Sequence, residues 1–121
     1  MKLEFHHINF VSNDVSKMHD FYTKVLRLEN IPIENFPRPK ETESTGYSGE
    51  IQFATDGSMQ MHLAEKNLDV AAKHKMQINP VEKGHIAFRT DNLDEFLKIL
   101  KEHGIPFSDY GAAFALSLIH I

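Results

Sequence analysis

Two stretches of the chain alternate apolar and polar residues with a period of two, and each then changes to a helical period. Leu3 to Val11, "LEFHHINFV", predicts a strand that runs into "SNDVS", where Asn13 or Asp14 is a suitable helix N-cap. Val15, Met18, Phe21, Tyr22, Val25 and Leu26 then form one helical stripe that stops before the Pro-containing "ENIPI". "HIAFRT" at residues 85–90 repeats the strand and "DN" repeats the cap. Leu93, Phe96, Leu97 and Leu100 repeat the stripe, and Gly104 and Pro106 end it. His85 lies 78 positions after His7, and at that offset Ile86 answers Ile8, Phe88 answers Phe10 and Leu93 answers Val15. The chain therefore contains an internal duplication of a strand-helix unit.

Between the copies, "IPIENF", "GEIQFAT" and "SMQMHLAE" predict three further strands, the last two joined by the Asp-Gly turn of "TDGS". The first half reads βαβββ. The expected fold is α+β: paired βαβββ modules forming a curved mixed sheet, the second module incomplete. Residues 1–65 form the first module, 66–83 the connection and 84–115 a partial second module, all within one domain of residues 1–115. The polar "PRPKETESTGYS" reads as a loop, and the connection has room for a short helix.

Alternation decides which side chains share a face. His7 is expected beside Phe5 and Asn9, His62 beside Gln60 and Ala64, and His85 beside Ala87 and Arg89. Each of the three strands then keeps an apolar face for the helices and one histidine on the opposite, more polar face. A curved sheet would gather these histidines, and imidazoles on stiff strands can hold a divalent ion at about 2.0–2.1 Å for zinc. A lone strand histidine is more commonly a hydrogen-bonded core or interface residue; agreement among three strands favours ligation by His7, His62 and His85. Glu65 competes with His62, but parity puts it on the other face. His6, His19, His74 and His103 read as structural or solvated. Asn9 and Arg89 share the histidine faces, where they either orient a substrate or are simply solvated strand ends.

Composition narrows the chemistry. The 121 residues are 41% hydrophobic and 25% charged, with a net charge of -4 and eight histidines. That suits one globular domain and gives no broad positive surface for nucleic acid. No stretch has the length of a signal peptide or a membrane span, so a cytoplasmic location is expected. The absence of cysteine leaves imidazole and carboxylate as the metal donors.

The motifs "HHINFVSNDVSKMHDFYTKVL" and "GHIAFRTDNLDEFLKILKEHGIPF" resemble the vicinal oxygen chelate superfamily, which includes glyoxalase I, extradiol dioxygenases and bleomycin resistance proteins. "SMQMHLAE" is most similar to glyoxalase I-like members. The resemblance covers the chain to about Tyr110. It implies that His7, His62 and His85 occupy metal-ligand positions for a divalent ion, with zinc, nickel, manganese and iron not distinguished. It also implies a metal-dependent lyase or isomerase acting on a small oxygen-rich substrate, in a homodimer. The alternatives are a non-catalytic drug-binding protein of bleomycin-resistance type or an extradiol-type dioxygenase.

Family logic further implies a ligating glutamate on a final strand, yet no acidic residue follows Asp109, so the catalytic residue is left unassigned. The terminal "LSLIHI", Leu116 to Ile121, matches one frame of transposon-end DNA used in sequencing-library preparation. Those six residues, His120 included, are expected to be a non-native tail on a truncated chain. The alternative is a natural short variant with an apolar last strand.

Overall fold

The computed structural model describes residues 1–35 and 49–109 and the backbone of 116–118. The loop expected at "PRPKETESTGYS" and the tail positions 119–121 lie outside the described residues. In chain order the elements are β1 (Leu3–Ser12), α1 (Val15–Asp20), a π-helical turn (Phe21–Val25), β2 (Glu29–Ile31) and a 3-10 turn (Ile33–Asn35). They continue with β3 (Ile51–Thr55), β4 (Gln60–Glu65), α2 (Val70–Lys73), β5 (His85–Thr90), α3 (Leu93–Glu102), β6 (Phe107–Asp109) and β7 (Leu116–Leu118).

Five strands form one mixed, curved sheet in the order β2-β3-β4-β1-β5, giving the α+β, glyoxalase-like architecture. β1 is parallel to β4 and antiparallel to β5, so the two duplicated strands lie side by side at the junction of the halves. β6 and β7 pair separately as an antiparallel ladder. No helix among the described residues is long and apolar enough to cross a membrane.

Local chemistry explains where the helices begin and end. Asp14 caps α1 by accepting from the Lys17 amide, and Asn92 caps α3 by accepting from the Glu95 amide. α3 closes with the Gly104 amide bonded to the Lys101 carbonyl and the Ile105 amide bonded to that of Leu100, Gly104 taking a φ of 64°. This paired termination lets a left-handed glycine satisfy carbonyls that the helix leaves open.

The α1 stripe is shorter than expected. At Phe21 the ladder widens to i→i+5 bonding, with the Leu26 amide reaching the Phe21 carbonyl. The extra residue per turn rotates the later positions away from the sheet, leaving Val25 and Leu26 exposed while Val15 stays buried. β2 also differs from the expected "IPIENF" strand: it occupies Glu29–Ile31, and Pro32, which has no amide to donate, precedes the 3-10 turn.

The core is concentrated in the first module and the connection. α1 packs on β3, β4 and β1. Val15, Phe53, Ala54, Leu63, Ala64, Val70 and Val81 are buried, with Ala64, Val70 and Val81 in one cluster that Val11 and Ile51 pack against. At the β5 edge the apolar face is open, with Ile86 44% and Phe88 48% exposed. The connection is tied down by Ser108, whose buried Oγ accepts from the Gln77 and Ile78 amides.

One glycine sets how closely β5 enters the sheet. Gly84 has a φ of 94°, and a Cβ there would run into the Asn9 carbonyl oxygen. Gly57, in the hairpin turn between β3 and β4, has a similar φ of 95° but open space around it. Both substitutions to alanine strain the backbone, whereas only Gly84→Ala also pushes on β1. Gly84→Ala is expected to lower unfolding stability by about 2 kcal/mol or more, clearly beyond Gly57→Ala, as read from denaturant midpoints. Equal losses for the two variants would contradict the close approach.

Candidate metal centre

The sheet order places β1 between the other two histidine strands, and the cross-strand register does the rest. Asn9 is opposite His62 on one side and opposite His85 on the other, while His7 is opposite Gln60 and Ala87. Residues opposite one another share a face, so His7, Asn9, His62, His85 and Arg89 all belong to the same side of the sheet.

His7 stands at the middle of the group. Its ring stacks on that of His62, with centroids 3.6 Å apart and planes within 11°. On the other side its Nε2 faces His85 Nε2 at 3.3 Å. Two nitrogens that each lie about 2.0–2.1 Å from a tetrahedral zinc stand roughly 3.3–3.4 Å apart, so the His7–His85 spacing suits a shared ion.

The outer partners also suit ligation. His85 donates Nδ1–H to the Pro80 carbonyl at 2.7 Å, which leaves the lone pair on Nε2, the atom turned toward His7. His62 donates Nε2–H to Gln60 Oε1 at 2.8 Å, which assigns its lone pair to Nδ1. Such partners fix the tautomer and orientation of a metal-ligating imidazole. Asn9 is 3% exposed; its Nδ2 donates to the His62 carbonyl, and its Oδ1 is buried with no hydrogen-bond partner in the protein.

Strand parity misses His6. His6, His7 and His62 offer ligand atoms that all lie within 4.8 Å of one another, and His6 Nδ1 stands 2.8 Å from His7 Nδ1. Alternation should have placed His6 and His7 on opposite faces. The register slips between Phe5 and His7, so that β1 spends two residues against Ala87 alone. A bulge of this kind breaks the alternation. Phe5 is thereby moved away from the His7 face, where parity placed it, to pair with Phe88 at a ring distance of 4.8 Å. A trace of this was present in the sequence: apolar Leu3 and Phe5 fall on odd positions and Ile8 and Phe10 on even ones, so the alternation changes phase at His6 and His7.

The other described histidines sit elsewhere. His19 Nε2 is 2.9 Å from Asn30 Oδ1 and joins α1 to β2, while His74 and His103 end α2 and α3. Arg89 lies on the histidine face with an Nη2 that donates to His6 Nε2 at 2.9 Å. Among the described residues, no carboxylate joins the imidazole group.

Burial keeps these rings neutral. Desolvation, with smaller contributions from neighbouring imidazoles, lowers the His7 pKa to about 3 and that of His62 to about 4. His85 is lowered chiefly by burial, against the opposing bond to Pro80, and His6 by burial and then by Arg89. Neutral imidazole is the ligating form, so the donor set fits a divalent cation at neutral pH.

Over residues 4–110 the chain matches the Glyoxalase/Bleomycin resistance protein/Dioxygenase superfamily. It belongs to that superfamily. Among solved structures, a hypothetical protein from Bacillus halodurans C-125 is similar, with a TM-score of 0.60 and 19% identity over 90% of this chain and 74% of that one. A likeness at that identity concerns the fold alone. Comparison with curated proteins gave no match.

The lowered histidine pKa values carry a stability consequence. The unfolded chain takes up protons near the ordinary imidazole value of 6.5, whereas folded His7 and His62 resist protonation down to about 3 and about 4. Stability is therefore retained above about pH 6.5 and lost progressively as the pH falls toward those folded values. The metal-free protein should be about 1–2 kcal/mol less stable at pH 5 than at pH 7.5, allowing for solvent screening of partly exposed rings. Denaturant unfolding should also show a smaller pH effect in His7→Gln; equal pH effects in the two proteins would contradict burial as the cause.

Proposed function

We propose that the protein is a metal-dependent enzyme of glyoxalase type, a lyase or isomerase, in which His7, His62 and His85 hold a divalent ion and a small oxygen-rich substrate binds through two neighbouring oxygens. The observation that carries this reading is the His7 Nε2 to His85 Nε2 distance of 3.3 Å, together with the Pro80 carbonyl that orients His85. Zinc, nickel, manganese and iron all accept imidazole donors. When bound, such an ion supplies Lewis-acid stabilisation of negative charge developing on the substrate oxygens.

The chain's own groups divide the remaining work. The depressed basicity of His7 and His62 makes them ligands rather than proton acceptors. Asn9 lies on the histidine face, anchored by its Nδ2 to the His62 carbonyl, and is assigned to orient the substrate, which requires a side-chain shift that uncovers its buried Oδ1. Arg89 offers a guanidinium for an anionic substrate group. Cytoplasmic location, homodimer formation and the division into modules at residues 1–65 and 84–115 complete the reading.

A second reading, non-catalytic binding of a small molecule or drug, is favoured by one feature. A depression of about 980 Å³ is lined by His85 and Arg89 from one face of β5 and by Ile86, Phe88 and Leu93 from its apolar side. Since both faces of β5 contribute, it passes around that strand's edge and offers apolar wall as well as polar donors. An extradiol-type dioxygenase would in addition need a carboxylate beside its histidines.

Metal titration distinguishes the two main readings. His7→Ala and His85→Ala are each expected to weaken zinc binding by at least about 100-fold, beyond the range seen when only a supporting partner is lost. Unchanged metal content in both variants would reject the enzyme reading and favour the binder.

A further inference from the structure

We propose that Arg89, acting through His6, holds His7 in the tautomer that opposes metal binding, and that loading of the site releases the guanidinium. This inference rests on the metal reading above, with His7 Nε2 and His85 Nε2 as ligand atoms. Its basis is a chain of four contacts whose donor and acceptor roles are fixed at both ends. Arg89 Nη2 lies 2.9 Å from His6 Nε2, His6 Nδ1 lies 2.8 Å from His7 Nδ1, His7 Nε2 lies 3.3 Å from His85 Nε2, and His85 Nδ1 lies 2.7 Å from the Pro80 oxygen.

A guanidinium only donates and a carbonyl only accepts. His6 Nε2 therefore accepts, and its proton sits on Nδ1, which donates to His7 Nδ1. His7 then carries its proton on Nε2 and donates to His85 Nε2. His85 carries its proton on Nδ1 and donates to Pro80. One proton per ring satisfies every contact. A second proton on any of the three rings would bring two donors face to face at some link, ending at the Arg89–His6 contact.

In this arrangement His7 Nε2 carries a proton and cannot ligate. For both facing nitrogens to bind one ion, His7 must give its Nε2 proton to water and hold one on Nδ1 instead. That proton comes along the short contact from His6 Nδ1, and His6 takes one from water onto Nε2. One proton is released and one taken up, and all three rings stay neutral. His6 Nε2–H then confronts the Arg89 N–H, so that contact must open. Occupancy of the histidine site and the Arg89–His6 bond thus exclude one another, and the linkage is reciprocal. Arg89 is a positioning residue that acts on the site through His6.

The relay is read directly by nitrogen NMR of histidine tautomers in the full chain. Without metal, His6 and His85 are expected as Nδ1–H and His7 as Nε2–H; with zinc, His7 is expected to change to Nδ1–H. A His7 that is already Nδ1–H without metal overturns the proposal. Zinc affinity supplies the second arm. Arg89→Met should bind zinc about fivefold or more tightly than the unaltered protein, and in a His6→Phe background the same change should have less than about a twofold effect. If the gain persists undiminished in that background, Arg89 acts by charge through space and the relay is rejected. Should His6→Phe fail to fold, the tautomer measurement on the unaltered chain decides. Failure of the unaltered protein to bind zinc at all would reject the metal reading and the coupling with it. Zinc binding without the tautomer change rejects the coupling alone.

Discussion

The antiparallel pairing of β1 with β5 is the contact on which the histidine face depends. It places the two copies of the repeated strand in adjacent positions, so that His7 and His85, far apart in the chain, meet across a single ladder spacing. Gly84 permits that spacing, because the backbone of β1 at Asn9 occupies the room a side chain would take. β4 approaches from the other side of β1 and contributes His62 at the same level. Remove the β1–β5 pairing and His85 leaves the group, while His6, His7 and His62 stay together through β1 and β4.

That neighbourhood combines burial with polarity in a way a purely structural sheet face would avoid. Asn9, almost fully buried, leaves an acceptor without a partner, a cost that protein interiors seldom carry away from functional places. Three of the rings have a second nitrogen occupied by an outer group: Pro80 for His85, Gln60 for His62 and Arg89 for His6. Orientation from outside and partial desolvation together give a cluster of neutral donors, which is costly to assemble for packing alone.

Much of this was legible in the residues. The 78-residue offset, the two capped helices and the Asp-Gly hairpin correspond to local rules of period and turn chemistry, and these translate directly into elements. The common face of His7, His62 and His85 followed from alternation because β4 and β5 keep it throughout. Alternation fails wherever a residue is inserted without changing the element type, and so His6 and Phe5 were both placed on the wrong sides. The π turn at Phe21–Val25 hid in the same way, since its residues still look like a helical stripe. The contacts of Arg89 and Pro80 depend on tertiary approach between distant segments, for which no local pattern exists.

The bulge at His6 makes the register of β1 a chemical parameter. Deleting the extra residue would leave Phe5 against Phe88 and Glu4 against Arg89, whereas flattening the bulge with both residues kept would shift everything before it by one partner: Phe5 would come opposite Arg89, on the face of the imidazole group, and Glu4 would leave Arg89 for Thr90. A slip of one residue in pairing, with the sequence unchanged, would in this way exchange a carboxylate for an aromatic ring at the rim of the cluster.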